Sequence, residues 1–253
     1  MKITINYQDR SFTSNLNAPI DISITTGKVK CFYAPDFIAS PYESGDFIGS
    51  VKKGAPVNFY NVRFNPHGNG THTESLGHIT KKQESVNAVL KTFHFISYLI
   101  TIDLEKRKNG DQLITLKNLK RQSPKTLPKA IIIRTRPNGK SKLTKDYSGT
   151  NPPYLDKKAM QYLVDAGVEH LLIDLPSVDR EVDEGILACH HIFWGVNDGK
   201  GQKKSRINCT ITELVFVENK IKDGLYLLNL QIAPFNLDAS PSKPVLYKLK
   251  ELD

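Results

Sequence analysis

The chain has 253 residues, of which 39% are hydrophobic and 24% are charged, and its formal net charge is +9. This length and composition predict a soluble globular protein with a substantial core. No apolar run approaches the ~18–20 residues of a membrane span, and the polar, alternating first ten residues lack the apolar core of a secretory signal. Cys31, Cys189 and Cys209 form no CxxC pair, which argues against a disulfide framework. We therefore expect a cytoplasmic location and no membrane partner.

The excess of basic residues has two interpretations. Lysines and arginines collect in several segments, for example at 106–108 and 200–206, and such clusters can form a nucleic-acid-binding surface. The clusters are dispersed, however, and carry no interleaved aromatic pattern. We interpret them as solvated loops and expect no nucleic-acid partner.

Patterned segments predict several elements in the first half of the chain. Alternating apolar residues predict strands within residues 1–30, and the segment from Val57 to Phe64 predicts another strand. The segment 85–104 is compatible with helix or strand, and its β-branched and aromatic content favours strand towards its end.

The middle of the chain predicts a strand–helix–strand unit. Ala130 to Thr135 contains a continuous apolar run, as in a strand buried on both faces. Asp156 can cap a helix over residues 157–165, which would end before Gly167. A second buried strand is predicted at 168–175. This order predicts a mixed α/β fold with a partly parallel sheet.

Two further strands are predicted at 207–217 and 224–234, joined by a polar turn. The sequence shows no internal repeat and no convincing linker. We therefore predict a single domain spanning residues 1–253.

The segment from His67 to His78 has the highest density of potential catalytic and metal-binding side chains in the chain. It holds three of the seven histidines, one carboxylate and several glycines. His72 and Glu74 are two residues apart, so in an extended segment their side chains point to the same side. Imidazole and carboxylate groups brought together in this way are ligands of divalent transition metals. A solvated, histidine-rich surface loop is the alternative that spacing alone leaves open.

Together with later segments, this motif resembles the metal-dependent cyclase family that includes kynurenine formamidase. The matching segments follow the order of that family and cover most of residues 20–250; they are Gly70–His78, Ile131–Thr135, Ile173–Asp179, His190–Trp194, Thr212–Leu214 and Ala239–Tyr247. The resemblance implies the swivelling β/β/α fold of that family, with a mixed sheet. It also implies a homodimer or homotetramer.

The resemblance implies specific roles for residues of this chain. His72, Glu74, His190 and Glu213 would ligate one or two divalent ions, zinc or manganese, with Glu74 replacing the aspartate of the family. His78 would be the general base or acid. The resulting function is hydrolysis of a small amide, N-formyl or cyclic ester substrate by a metal-activated water.

Other features stay open or support a rival. The first histidine of the family corresponds to Gly68, and His67 lies one residue earlier, so the sequence leaves open whether His67 joins the site. If His190 and His191 lie on a strand, only one of them faces inward. Phe59 and Trp194 are candidate substrate-binding residues.

A basic loop from 197 to 206 looks inserted relative to the family. The displaced His67, the substituted Glu74 and this loop support one alternative, a catalytically inactive cyclase-fold protein that binds a small molecule or a partner.

Overall fold

The computed structural model describes residues 1–197, 201–202 and 206–252. Much of the basic loop interpreted as an insertion lies outside these described residues. Four α-helices are present in the described part: α1 (Val86–Val89), α2 (Leu116–Gln122), α3 (Lys157–Asp165) and α4 (Ala188–Trp194). Short 3-10 helices lie at Val51–Lys53, Leu76–Ile79 and Lys140–Leu143.

The strands are β1 (Lys2–Tyr7), β2 (Arg10–Asn15), β3 (Ile20–Asp21), β4 (Ile38–Pro41), β5 (Glu43–Ser44), β6 (Phe47–Ile48), β7 (Tyr60–Arg63), β8 (His72–Glu74), β9 (His94–Asp103), β10 (Glu105–Lys106), β11 (Gln112–Ile114), β12 (Ala130–Arg136), β13 (Tyr154–Leu155), β14 (His170–Ile173), β15 (Val196–Asn197), β16 (Gly201–Gln202), β17 (Thr210–Glu213), β18 (Gly224–Ile232), β19 (Ala239–Lys248) and β20 (Lys250–Glu251).

Seven strands form a closed, barrel-like sheet. Their order is β18-β9-β12-β14-β17-β8-β19, and the pairing of β18 with β19 closes the ring, while β3 adds to β19. The pairs β9–β12, β12–β14 and β14–β17 are parallel, whereas β8 is antiparallel to both β17 and β19. The predicted mixed α/β fold with a partly parallel sheet is therefore confirmed.

The apolar strands are buried on both faces, as their sequences indicate. In β12, Ile131 and Ile133 face a core shared with Met160 and Leu163 of α3. The alternate residue Ile132 belongs to a second core built from β9, β12, β14, β18 and β19, which fills the interior of the ring. Burial on both faces explains why these strands are continuous apolar runs.

The capped helix is also confirmed. The Asp156 carboxylate accepts a hydrogen bond from the backbone N–H of Lys158 at 2.8 Å, at the start of α3. Gly167 follows the helix with a φ of 80°, a left-handed conformation that glycine adopts without strain. The helix packs on the parallel strands through its buried apolar side.

Other predicted elements differ from the structure. The predicted strand 207–217 is a regular strand, β17, only over Thr210–Glu213, whereas the predicted strand 224–234 is confirmed as β18. The segment 85–104 contains both alternatives, because α1 precedes β9. The assumption that His190 and His191 lie on a strand is wrong, since both belong to α4.

An exposed two-stranded arm, β4 paired with β7, stands apart from the barrel strands. Its apolar side chains Ile38, Tyr60 and Val62 are each about half exposed. None of the helices in the described part of the chain has the length and apolar character needed to cross a membrane. The single domain over 1–253 stays a prediction.

Candidate metal centre

The centre is built on β8, the strand of the histidine-rich motif. His72 and Glu74 are two residues apart on this strand and are both fully buried. Strand β17 is antiparallel to β8 and places Glu213 directly opposite His72. Side chains of directly opposed residues lie close together on one face of a sheet. The strand pairing thus brings an imidazole and two carboxylates to one place.

Hydrogen bonding fixes which nitrogen of His72 faces the centre. Its Nδ1 lies 3.0 Å from the carbonyl oxygen of Gly70, which can only accept a hydrogen bond, so Nδ1 carries the proton. In the neutral ring the lone pair is then on Nε2, which lies 3.4 Å from Glu213 Oε2. This arrangement leaves His72 ready to ligate through Nε2.

His190 enters the centre from α4. Its Nε2 lies 3.1 Å from Glu74 Oε1, and its Nδ1 lies 2.7 Å from Asp179 Oδ2. The same Asp179 carboxylate accepts the backbone N–H groups of Cys189 and His190 at the start of α4. Asp179 therefore caps the helix and orients the histidine with one side chain.

Two more histidines complete the cluster on the solvent side. His67 Nδ1 lies 3.3 Å and His78 Nε2 lies 3.8 Å from Glu74 Oε2. The other ring nitrogens, His67 Nε2 and His78 Nδ1, lie 3.0 and 3.2 Å from Asp238 Oδ2. Glu74 is therefore the carboxylate on which His67, His78 and His190 converge.

The position of His67 explains a departure from the family motif. A Cβ atom built on Gly68 would overlap the Cβ of Ala34 and press on the carbonyl oxygen of Cys31. A histidine therefore does not fit at 68 in this packing. His67, one residue earlier, brings its ring to within 5.0 Å of the His72 ring instead, measured between centroids. The structure thus answers the question that the sequence left open: His67 joins the cluster.

The groups of the cluster shift one another's pKa values. Burial opposes ionisation of Glu74, but the neighbouring His78, His190 and His67 outweigh it and hold its pKa well below the usual range. Burial also opposes the charged form of His67, yet the neighbouring Asp238 and Glu74 carboxylates raise its pKa to about 10. A bound ion would take the place of the proton on Nδ1. Contact with His67 and His78 lowers the pKa of Asp238. The cluster holds opposite charges side by side in a buried space.

Two polar atoms at the centre have no hydrogen-bond partner among the described residues. They are His72 Nε2 and Glu74 Oε2, and both are buried. Buried polar atoms in proteins are normally paired, so two orphans facing one space call for a ligand. Two donor groups share Glu74, namely His67–Glu74–His78 and His72–Glu74–Glu213, and the atoms of each group lie within 4.8 Å of one another. Nitrogen and oxygen donors in this arrangement fit a divalent ion.

A cavity of about 330 Å³ opens beside the cluster. His67, His78, His190 and Glu213 line it from the side of the centre. Its lining also includes Phe32, Ser177, Arg180 and Leu187. Its volume lies at the lower end of the range for small-molecule sites.

Phe59 and Trp194, the two predicted substrate-binding residues, do not line the cavity. Phe59 is 56% exposed, packs against Tyr42 beside the arm, and does not line the cavity. Trp194 is completely buried, stacks on the His190 ring at 5.8 Å and donates to the carbonyl oxygen of Cys209, so it supports His190 from behind. The placement of both as cavity-lining residues is therefore corrected. His191 lies one residue further round α4 and contacts the Val196 carbonyl oxygen.

The sequence interpretation missed Asp238. It is a lone aspartate immediately before β19, 160 residues beyond His78, and no spacing pattern connects the two. Asp179 belonged to a matched segment, but its contact with His190 was not predicted. The roles of these two carboxylates are visible only in the folded structure, where Asp238 contacts His67 and His78 and Asp179 contacts His190.

The fold is similar to those of several solved structures. A structure described as a potential metal-dependent hydrolase with cyclase activity has 14% identity and a TM-score of 0.63, covering 91% of this chain and 97% of the other. A structure described as a predicted metal-dependent hydrolase from Bacillus stearothermophilus has 14% identity and a TM-score of 0.60, covering 91% of this chain and 98% of the other. Isatin hydrolase A from Labrenzia aggregata, bound to benzyl benzoate, has 12% identity and a TM-score of 0.62, covering 91% of this chain and 93% of the other. At these identities the likeness shows the fold, and the cyclase-like fold is confirmed.

Sequence comparison gives the family. None of the curated proteins matches the chain. A family model described as "Putative cyclase" matches residues 16–180, which is more than half of the chain. The segments that carried the resemblance up to Asp179 lie within that match. The protein therefore belongs to the cyclase family.

Proposed function

We propose that the protein is a metal-dependent hydrolase of a small amide, N-formyl or cyclic ester substrate. The observation that carries this proposal is the convergence of four histidines and two glutamates on one buried centre beside a cavity. The cyclase family membership and the fold shared with proteins described as metal-dependent hydrolases support it.

We assign the ion to the donors around Glu74. His72, Glu74, His190 and Glu213 are the proposed ligands, and His67 joins them through Nδ1. The orphaned His72 Nε2 and Glu74 Oε2 support this assignment, because an ion would satisfy both. Zinc or manganese bound there would lower the pKa of a water molecule and polarise a substrate carbonyl group.

The proposed acid–base residue is His78. It is 29% exposed, lines the cavity, and turns Nε2 towards Glu74 while Nδ1 contacts Asp238. An imidazole in this position can accept a proton from the attacking water and deliver it to the leaving nitrogen or oxygen. The bond between the carbonyl carbon and that atom then breaks, and a carboxylate is released.

The cavity volume of about 330 Å³ supports a small-molecule substrate. One structural neighbour is an isatin hydrolase, so a cyclic amide such as isatin belongs in the test panel beside N-formyl compounds and lactones. The resemblance to kynurenine formamidase motivates the N-formyl compounds.

Metal analysis and hydrolysis assays on purified protein test the proposal. We expect bound zinc or manganese and turnover of at least one substrate class, both lost in His72→Ala. His94→Ala is the matched control, because His94 is exposed and contacts Asn229 away from the centre. Metal-free, inactive wild-type protein after reconstitution would refute the proposal. Tight ligand binding without turnover would favour the inactive, binding-only alternative.

We also propose that the chain forms a homodimer or homotetramer. The resemblance implies this state, and the exposed apolar arm of β4 and β7 supports it, since proteins that stay monomeric rarely expose contiguous apolar patches. Light scattering on the purified protein measures the mass directly, and a monomer at micromolar concentration would contradict the proposal.

A further inference from the structure

We propose that Asp238 is a positioning residue that fixes the ring orientations of His67 and His78 at the metal centre. This inference rests on the proposed function. One oxygen, Asp238 Oδ2, lies 3.0 Å from His67 Nε2 and 3.2 Å from His78 Nδ1. A single carboxylate oxygen therefore contacts both solvent-side histidines on the ring edge that faces away from Glu74.

The barrel fixes Asp238 independently of the histidines. The residue immediately precedes β19, and its neighbour Ala239 pairs with Glu74 of β8. The Asp238 carbonyl oxygen accepts hydrogen bonds from the backbone N–H of Ser75 at 2.9 Å and from Ser75 Oγ at 3.2 Å. The backbone that carries the carboxylate is thus tied to the strand that carries the metal motif.

The chemistry of a carboxylate determines what it does to the two rings. An ionised carboxylate only accepts hydrogen bonds, so His67 Nε2 and His78 Nδ1 must donate to it. The remaining nitrogens, His67 Nδ1 and His78 Nε2, then face Glu74 at 3.3 and 3.8 Å. The shared oxygen also holds the rings stacked, with centroids 4.2 Å apart and planes 30° apart.

Asp238 acts through the histidines and is not itself a donor to the ion. Its Oδ2 contacts the edges of the His67 and His78 rings that face away from Glu74. Carboxylates behind metal-bound histidines orient the rings and strengthen their donor nitrogens. Asp179 does the same for His190 from the opposite side, so the centre has a supporting carboxylate on each flank.

Cobalt(II) titration of the full-length chain tests the proposal. We expect Asp238→Asn to weaken cobalt affinity about 10- to 100-fold and to change the visible absorption of the bound cobalt. Asp223→Asn is the matched control. Its carboxylate is 35% exposed against 26% for Asp238, and it also accepts several hydrogen bonds, from Thr101 and Arg134. We expect the control to leave both cobalt readouts unchanged.

The outcomes separate this inference from the proposed function. If wild type binds cobalt and Asp238→Asn binds it equally well with the same spectrum, the positioning role is wrong and the metal-dependent function stands. If wild type binds neither cobalt, zinc nor manganese, both are wrong.

A second measurement needs no variant. Long-range proton–nitrogen NMR spectra of the zinc-loaded wild type show which ring nitrogens carry protons. We expect protons on His67 Nε2 and His78 Nδ1. The opposite pattern in either ring would overturn the inference, even if Asp238→Asn fails to fold.

Discussion

Two buried carboxylates of this molecule have opposite surroundings. Asp174 follows β14 and receives hydrogen bonds from Thr135 N, Thr135 Oγ1 and Lys142 Nζ at 2.8, 3.0 and 2.7 Å. Glu74, on β8, is equally buried, but its Oε2 forms no hydrogen bond with the described residues. The Asp174 cluster is saturated by the chain itself, whereas the Glu74 cluster is not. A saturated buried cluster contributes to folding, and an unsaturated one is suited to bind something.

Asp174→Ala tests the saturated cluster and has the largest expected effect. The change leaves the Lys142 ammonium, with a side chain 13% exposed, without its charged partner, although its hydrogen bonds to Thr135 remain. We expect the free energy of unfolding to fall by about 3–5 kcal/mol, measured by urea denaturation. Asp103→Ala, which removes an exposed carboxylate, is the control and should cost below about 1 kcal/mol. The metal content should not change; loss of metal at unchanged stability would reverse the roles of the two clusters.

Histidines give the same contrast through pH. His170 is buried, packs on Phe95 and contacts Thr210 Oγ1 at 2.9 Å; burial lowers its pKa from 6.5 to about 4. The pKa of His67 is raised instead, because the ring lies beside the Glu74 and Asp238 carboxylates. Between pH 6.5 and 4 the unfolded state binds the proton at residue 170 more readily than the folded state does. The contribution of neutral, buried His170 to the free energy of unfolding is therefore present above pH 6.5 and is lost as the pH falls to 4.

We expect this single group to cost about 3 kcal/mol over that range, measured by urea denaturation at several pH values. The variant His170→Gln should lack this part of the pH dependence. His94→Gln, at an exposed histidine, should retain it. Equal pH profiles for wild type and His170→Gln would show that His170 does not stay neutral in the folded protein.

Glu74→Gln tests the unsaturated cluster. The substitution keeps the size of the side chain and removes the charge on which three histidines converge. Losing an outer carboxylate behind a ligand costs about 10- to 100-fold in metal affinity, so losing this direct donor should cost at least about 100-fold. Metal competition titration measures the affinity. The metal-free variant should lose less stability than Asp174→Ala, and tight metal binding by Glu74→Gln would remove Glu74 from the ligand set.

The two helix caps give the smallest and sharpest contrast. Asp156 caps α3 and touches no site residue, while Asp179 caps α4 and also contacts His190. Asp156→Ala and Asp179→Ala should each lower the free energy of unfolding by about 1 kcal/mol through the lost cap. Only Asp179→Ala should also weaken metal binding. Equal metal affinities in the two variants would show that Asp179 does not support His190.

The sequence predicted those parts of the fold and site that lie within one local pattern. The apolar run of β12 and the capped helix α3 each depend on neighbouring residues. His72 and Glu74 were paired because residues two apart in a strand share a face. Each of these predictions used a spacing that is visible within about ten residues.

The remaining parts depend on contacts between residues that are far apart in the sequence, which no local pattern predicts. The helix α4 has only seven residues, ACHHIFW, and their aromatic and β-branched content is as compatible with a strand. The sequence does not reveal the role of His67, because the conflict at Gly68 arises from Ala34, more than thirty residues earlier. Asp238 meets His78 only because β19 pairs with β8.

Ring closure between β18 and β19 has one further consequence. Each of the seven barrel strands has a hydrogen-bonded neighbour on both sides, so none of them presents a free row of amide and carbonyl groups. Unpaired strand edges are templates on which other chains add and aggregate. The strands that carry the histidines and glutamates are therefore shielded from strand exchange, even when the pocket beside them is open to solvent.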